Sequence, residues 1–149
     1  MNKFFALILI LLAAGTLYAS EPDRFITKLK LPSGETVVVA EGDFEVRSIG
    51  SFSVRLYDAA APADETTFFR SGLIRHREGV IEKVVLADVA GDRRPEIVVM
   101  VRSVGTGGYL SAHAFGVDRQ RLFLCAVVEN LPPDADPLAA LLKAKRKSK

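Results

Sequence analysis

The clearest pattern in the chain is the strict alternation from Ser51 to Tyr57. Phe52, Val54 and Leu56 fall on one side of a strand and Ser53, Arg55 and Tyr57 on the other, as a half-buried strand requires. Upstream, Arg24–Leu31 alternates less regularly. Pro32-Ser33-Gly34 then marks a turn into the β-branched run Glu35–Ala40, so the two segments read as a hairpin. Asp58–Asp64, rich in Ala and containing Pro62, reads as a mobile loop. Thr67–Arg75 and Val80–Ala87 read as a second hairpin turning at Arg77-Glu78-Gly79. Glu96–Ser103 shows no alternation, which suits a central strand covered on both faces. Tyr109–Val117 alternates again, with Tyr109, Ser111, His113 and Phe115 on one side. Asp118-Arg119 turns the chain into the apolar strand Arg121–Val128, and Pro132-Pro133 ends the sheet. Asp136 as N-cap and Pro137 at the first helical position then predict a short helix to about Lys145.

This pattern predicts an all-β, single-domain antiparallel fold of about seven to eight strands, a sandwich or barrel, with a short C-terminal helix. Its core would hold Phe52, Val54, Leu56, Ile97, Val99, Leu122 and Leu124. No repeat, linker or second domain is visible. The N-terminus changes the picture of where the fold works. Lys3, the apolar stretch Phe4–Ala14 and Leu17-Tyr18-Ala19 have the order of a secretory signal. Residues 1–19 are therefore expected to be removed, leaving residues 20–149 as an exported domain with a basic tail and no membrane attachment.

The 149 residues carry a formal charge of +2, so no global field argues for nucleic acid. Lys143, Lys145, Arg146, Lys147 and Lys149 concentrate positive charge at the C-terminus, where a solvated, frayed end is the simplest reading. Without those five and Lys3, 14 basic face 18 acidic residues, a mildly acidic body. The single cysteine, Cys125, cannot form an internal disulfide and stands in an apolar run, as a small hydrophobe would. Stability must come from packing.

Four places could carry chemistry. Asp88-Val89-Ala90-Gly91-Asp92 has the acidic character of a calcium loop, but Ala90 stands where a ligand is needed. Arg93 and Arg94 also bring positive charge, so a structural turn with Asp88 or Asp92 bonding local amides is the better reading, with no metal. His76, between Arg75 and Arg77, reads as an exposed loop histidine. His113 shares a strand face with Ser111. Neither a nucleophile elbow nor an acid to orient the imidazole accompanies them, which weighs against a hydrolase. The fourth is Gly105-Thr106-Gly107-Gly108-Tyr109, a glycine-rich connection flanked by a hydroxyl and a phenol. Three glycines in four residues can take positive φ and turn tightly, presenting two polar groups outward. An ordinary β-connection is the plain alternative. No cofactor is implied anywhere.

LADVAGDRRPEIVV followed by RSVGTGGYLSAHAF resembles the bacterial periplasmic inhibitors of invertebrate-type (i-type) lysozyme. LPSGETVVVAEGDFEVRSIGSFSVRLY and IEKVVLADVAGD are similar to the same family, so the resemblance spans about Thr27 to Asn130. That family carries a Ser-Gly-x-Tyr motif on a protruding loop, read here as Thr106-Gly107-Gly108-Tyr109, with Thr in place of Ser. The resemblance implies a β-sandwich and a non-enzymatic periplasmic protein whose loop enters the lysozyme cleft and hydrogen-bonds the catalytic carboxylates. It also makes a homodimer plausible. Arg119 and Arg121, bordering the next turn, are a candidate second contact. The loop alone does not separate i-type from goose-type lysozyme as target. A non-catalytic periplasmic module binding calcium or carbohydrate is the alternative function.

Overall fold

Phe52, Val54 and Leu56 are wholly buried, and the alternation that placed them inside builds the first of two sheets. In the computed structural model, which describes residues 24–64 and 66–147, this sheet contains β1 (Ile26–Lys30), β2 (Thr36–Glu41), β3 (Gly50–Tyr57) and β4 (Phe69–Arg77). They lie in the order β1-β2-β3-β4, each antiparallel to the next. Register sets Val37 against Leu56 and Val39 against Val54, so one face is a continuous apolar surface. The second sheet repeats the plan with β5 (Val80–Ala87), β6 (Glu96–Arg102), β7 (Leu110–Asp118) and β8 (Arg121–Leu131). The signal expected over residues 1–19 lies outside the described residues.

The two sheets pack face to face around Val37, Val39, Phe52, Val54, Leu56, Ile97, Val99, Val101 and Phe115, with Leu124 partly buried against them. Each such side chain contributes about 1.5–3 kcal/mol by leaving water. β6 shows why Glu96–Arg102 lacks alternation. Ile97, Val99 and Val101 face the first sheet, whereas Val98 and Met100 face away, under helix α1 (Pro137–Lys147). Ala112 and Ala114 on β7 are small enough to admit the wholly buried Leu141 of that helix. Asp136 caps the helix, its carboxylate accepting from the amides of Leu138 (2.9 Å) and Ala139 (3.3 Å). The helix runs to Lys147, and the positive charge of Lys143, Lys145 and Arg146 suits its C-terminal turns. Cys125 is half-buried against the Leu141 cluster, and burial raises its thiol pKa.

The second predicted hairpin does not form. Thr67–Arg75 and Val80–Ala87 are strands, but they do not form a hairpin: β4 pairs with β3 and β5 with β6. Glu78 and Gly79 instead carry the chain from one sheet to the other. Arg77 decides this. Its buried guanidinium donates to the carbonyls of Ser51 (3.0 Å), Arg47 (2.8 Å), Val46 (3.4 Å) and Gly79. Two further polar bonds stitch the sheets. The Ile81 amide donates to the buried Glu41 carboxylate at 2.7 Å, and the Leu122 amide to Ser71 Oγ at 3.1 Å.

Candidate functional site

Antiparallel order places alternate connections at opposite ends of the sandwich. One end carries the β2–β3 loop, the Glu78-Gly79 corner, the β6–β7 loop and the link from β8 into α1. The β6–β7 loop, Ser103–Tyr109, closes on itself twice. The Gly108 amide donates to the Gly105 carbonyl (3.2 Å), a tight turn with Thr106 and Gly107 at its corner. At its base, the Ser103 amide donates to the Tyr109 carbonyl (2.9 Å). Gly105, Thr106 and Gly107 are exposed, and Tyr109 is 51% exposed.

The three glycines do not act alike. Only Gly108 takes a left-handed φ, +54°. Gly107 is required for a different reason, because the Tyr109 ring lies across its backbone. A Cβ there would fall 2.7 Å from Tyr109 Cδ2 and closer still to Cε2. The bare crown of the turn thus seats the phenol. Tyr109 was expected to open the next strand on the side of His113 and Phe115, but β7 begins at Leu110, paired with Arg102.

Arg102 is the anchor that pattern reading missed. From the last position of β6 it donates Nη1 to the Gly108 carbonyl (2.9 Å) and the Pro133 carbonyl (3.5 Å). Its other nitrogens grip the Glu82 carboxylate at 2.5 and 3.1 Å. Such a bidentate pair fixes the guanidinium plane, and hence the loop hung from it. The available signal was a lone charge ending an apolar strand just before a glycine loop.

The remaining candidates are not part of this turn. The acidic turn is a structural one: Asp88 accepts from the amides of Gly91 (2.6 Å), Asp92 (3.2 Å) and Arg93 (2.8 Å), and Asp92 from Arg94 (3.0 Å). The buried Glu96, also unforeseen, accepts from Val89 (2.8 Å) and Ala90 (3.2 Å). Among the described residues no group of three or more His, Cys, Asp or Glu side chains could hold a metal ion. His76 is exposed but lies within β4, paired with Ser51, rather than in a loop, and is 3.7 Å from Glu78. His113 is buried, edge-on to Phe52 at 5.3 Å. Burial, with Arg75 nearby, pushes its pKa down to about 4. It shares a cleft of about 150 Å³ with Ser111, and its buried Nδ1 has no hydrogen-bond partner, so no carboxylate holds the ring through that nitrogen.

Arg119 and Arg121 are at the opposite end, beyond β7. Eight residue steps of extended strand put them roughly 27 Å from the Tyr109 turn. A cavity of about 660 Å³ is also at that end, lined by Leu31, Arg94, Glu96, Asp118 and Phe123. Arg119 (φ 46°) and Gln120 (φ 61°) form a two-residue hairpin turn with both residues left-handed, a geometry that Asn-Gly fits better. Replacing Arg119-Gln120 by Asn-Gly is expected to stabilise by about 1 kcal/mol, a rise of a few degrees in a thermal melt.

Comparison with known proteins meets this geometry. Residues 23–145 match the family model described as periplasmic lysozyme inhibitor of I-type lysozyme. The solved structure of such an inhibitor from Aeromonas hydrophila is 43% identical, with a TM-score of 0.74, covering 78% of this chain and 98% of that one. The Aeromonas hydrophila inhibitor in complex with Meretrix lusoria lysozyme is likewise 43% identical, with a TM-score of 0.72, covering 78% of this chain and 94% of that one. A search of curated proteins found no match.

Proposed function

The chain belongs to the family of periplasmic inhibitors of I-type lysozyme, and we propose that it blocks its target by seating the Gly105–Tyr109 turn in the catalytic cleft. The family fixes the level above that: a periplasmic, non-enzymatic protein whose partner is a lysozyme. No helix among the described residues is long and apolar enough to cross a membrane.

One observation carries the proposal. A thin, exposed turn presents a hydroxyl and a half-exposed phenol while Arg102 and Glu82 hold its base rigid. Glycoside hydrolysis uses two carboxyl groups across a narrow cleft, one protonated and one ionised. The Thr106 hydroxyl and the Tyr109 phenol can both donate to such carboxylates. A buried hydrogen bond to a charged partner contributes about 1.5–3 kcal/mol. Because the turn is already ordered, little entropy is lost when it enters. The inhibitor occupies the substrate's place and transfers nothing.

The test is inhibition of a purified I-type lysozyme, with c-type and goose-type enzymes as comparison. Tyr109→Phe removes a donor and leaves the opposing acceptor unpaired, so inhibition should weaken about five- to 150-fold. Thr106→Ala should cost less, and Thr106→Ser almost nothing. Unchanged inhibition by Tyr109→Phe together with Tyr109→Ala would remove the turn from the interface. Arg119 and Arg121 join the contact only if lysozyme reaches along the length of β7. The Asn-Gly variant reads this too, since losing Arg119 would then weaken inhibition while the fold gains stability.

A further inference from the structure

The β2–β3 loop leaves the same end of the sandwich and holds three large apolar side chains in solvent. Phe44 is 96% exposed, Val46 66% and Ile49 55%, whereas the charged Glu45 between them is turned inward. The Glu45 carboxylate accepts from the Ser51 amide (2.5 Å) and Ser51 Oγ (2.7 Å) and faces Arg77 at 3.6 Å. Those contacts, led by the Ser51 amide, hold its pKa below the usual range. Arg24 donates to the Glu45 carbonyl (2.5 Å), while Arg77 takes the carbonyls of Val46 and Arg47. The backbone is therefore pinned from within and three apolar side chains are held in water. Phe44 is also left-handed, φ 59°, a conformation that disfavours a bulky residue. Strain of this kind, with an aromatic ring facing solvent, marks a contact surface rather than a loop shaped for its own stability.

This loop is continuous with the Tyr109 turn. The same Arg77 that holds Val46 and Arg47 also bonds the Gly79 carbonyl, and Gly79 packs directly on Arg102 and Ser103, where the turn begins. With Val104 and Tyr109, five exposed large apolar side chains stand on loops of this one end. A stable complex covers about 800 Å² on each partner, more than a five-residue turn can supply. We infer that Phe44, Val46 and Ile49 form a second, apolar arm that packs against the rim of the I-type lysozyme cleft, with Phe44 as its anchor. This rests on the reading of the Tyr109 turn as the segment that enters the cleft.

Binding of purified I-type lysozyme by calorimetry, beside thermal melts, tests the arm. Phe44→Asn suits the left-handed backbone, so the melting temperature should hold or rise while affinity falls about ten- to 100-fold. Phe44→Tyr keeps the ring and should stay within a few-fold of the parent. Tyr109→Ala is run in parallel. If it abolishes binding while Phe44→Asn combined with Val46→Ser and Ile49→Ser stays within two-fold, the arm is refuted and the cleft reading stands. If Tyr109→Ala has no effect, the cleft reading falls and the arm with it. If Phe44→Asn spares lysozyme binding but turns a dimer into monomers in sedimentation, the loop serves self-association and the inference is overturned.

Discussion

Gly79→Ala is expected to be the most destabilising glycine-to-alanine change among the described residues. A Cβ at Gly79 would fall 2.6 Å from the Arg102 carbonyl carbon and 2.8 Å from Ser103 Cα, with the Arg102 oxygen nearer still. These are backbone atoms, and Val80 is paired with Arg102 in the β5–β6 ladder, so neither side can swing away as a side chain would. The φ of +127° adds strain for any residue with a Cβ. Overpacking costs typically 1–3 kcal/mol and a special backbone conformation a further 1–3. Together they remove on the order of 3–5 kcal/mol from a fold expected to have about 5–15. A thermal melt should fall by about 10 °C or more. A fall of less than about 3 °C would mean that the corner yields easily and does not fix how the sheets meet.

That corner also marks where local pattern stops informing. Periodicity assigned β4 and β5 as strands but not their partners, and a short glycine-bearing link between strands reads as a hairpin. The decision lies in Arg77, buried beneath carbonyls up to 31 residues away, and in Gly79 pressed on the strand end beyond β5. A window that sees only neighbours cannot register either contact. By contrast, Phe52, Val54 and Leu56 were legible because burial of a strand face follows the chain's own period of two. The unalternating β6 was legible because double coverage erases the period. The helix start was legible because Asp136 caps amides within three residues and Pro137 pre-sets its own backbone angle.

The site divides in the same way. Thr106 to Tyr109 could be singled out because the whole motif is contiguous. Arg102, Glu82, Glu45 and Arg77 could not, since each is one charge whose partner is elsewhere in the chain. Proximity in sequence is also no measure of distance in the fold. Arg119 and Arg121 follow the turn by only ten and twelve residues after Tyr109, yet an entire strand separates them from it. The Tyr109 turn and the Phe44 loop, about 60 residues apart in sequence, are braced on one corner because two meanders bring alternate connections to a common end.

Gly107→Val should abolish inhibition, by about 100-fold or more, without unfolding the protein. The φ of Gly107 is not left-handed, so the cost is not backbone strain. It comes from the Tyr109 ring, whose Cδ2 would stand 2.7 Å and whose Cζ 3.3 Å from the new Cβ. The ring is the free end of a side chain on an exposed loop, so it can move aside, and the melting temperature should shift by less than about 2 °C. In moving, it takes the phenol away from where the turn presents it, and the valine methyls thicken a crown that the proposed mode of inhibition places in a narrow cleft. Losing both the donor and its seat exceeds what Tyr109→Phe loses. A hundredfold change corresponds to roughly 2.7 kcal/mol of binding free energy, within reach of one buried charged hydrogen bond and the ring's contact area. Gly107→Ala, with one carbon and no branching, should fall between the parent and valine. Inhibition constants and melts on the three proteins decide it. If the valine protein inhibits I-type lysozyme within a few-fold of the parent, the ring's seat on Gly107 does not matter to binding, and the turn does not enter the cleft in the form described.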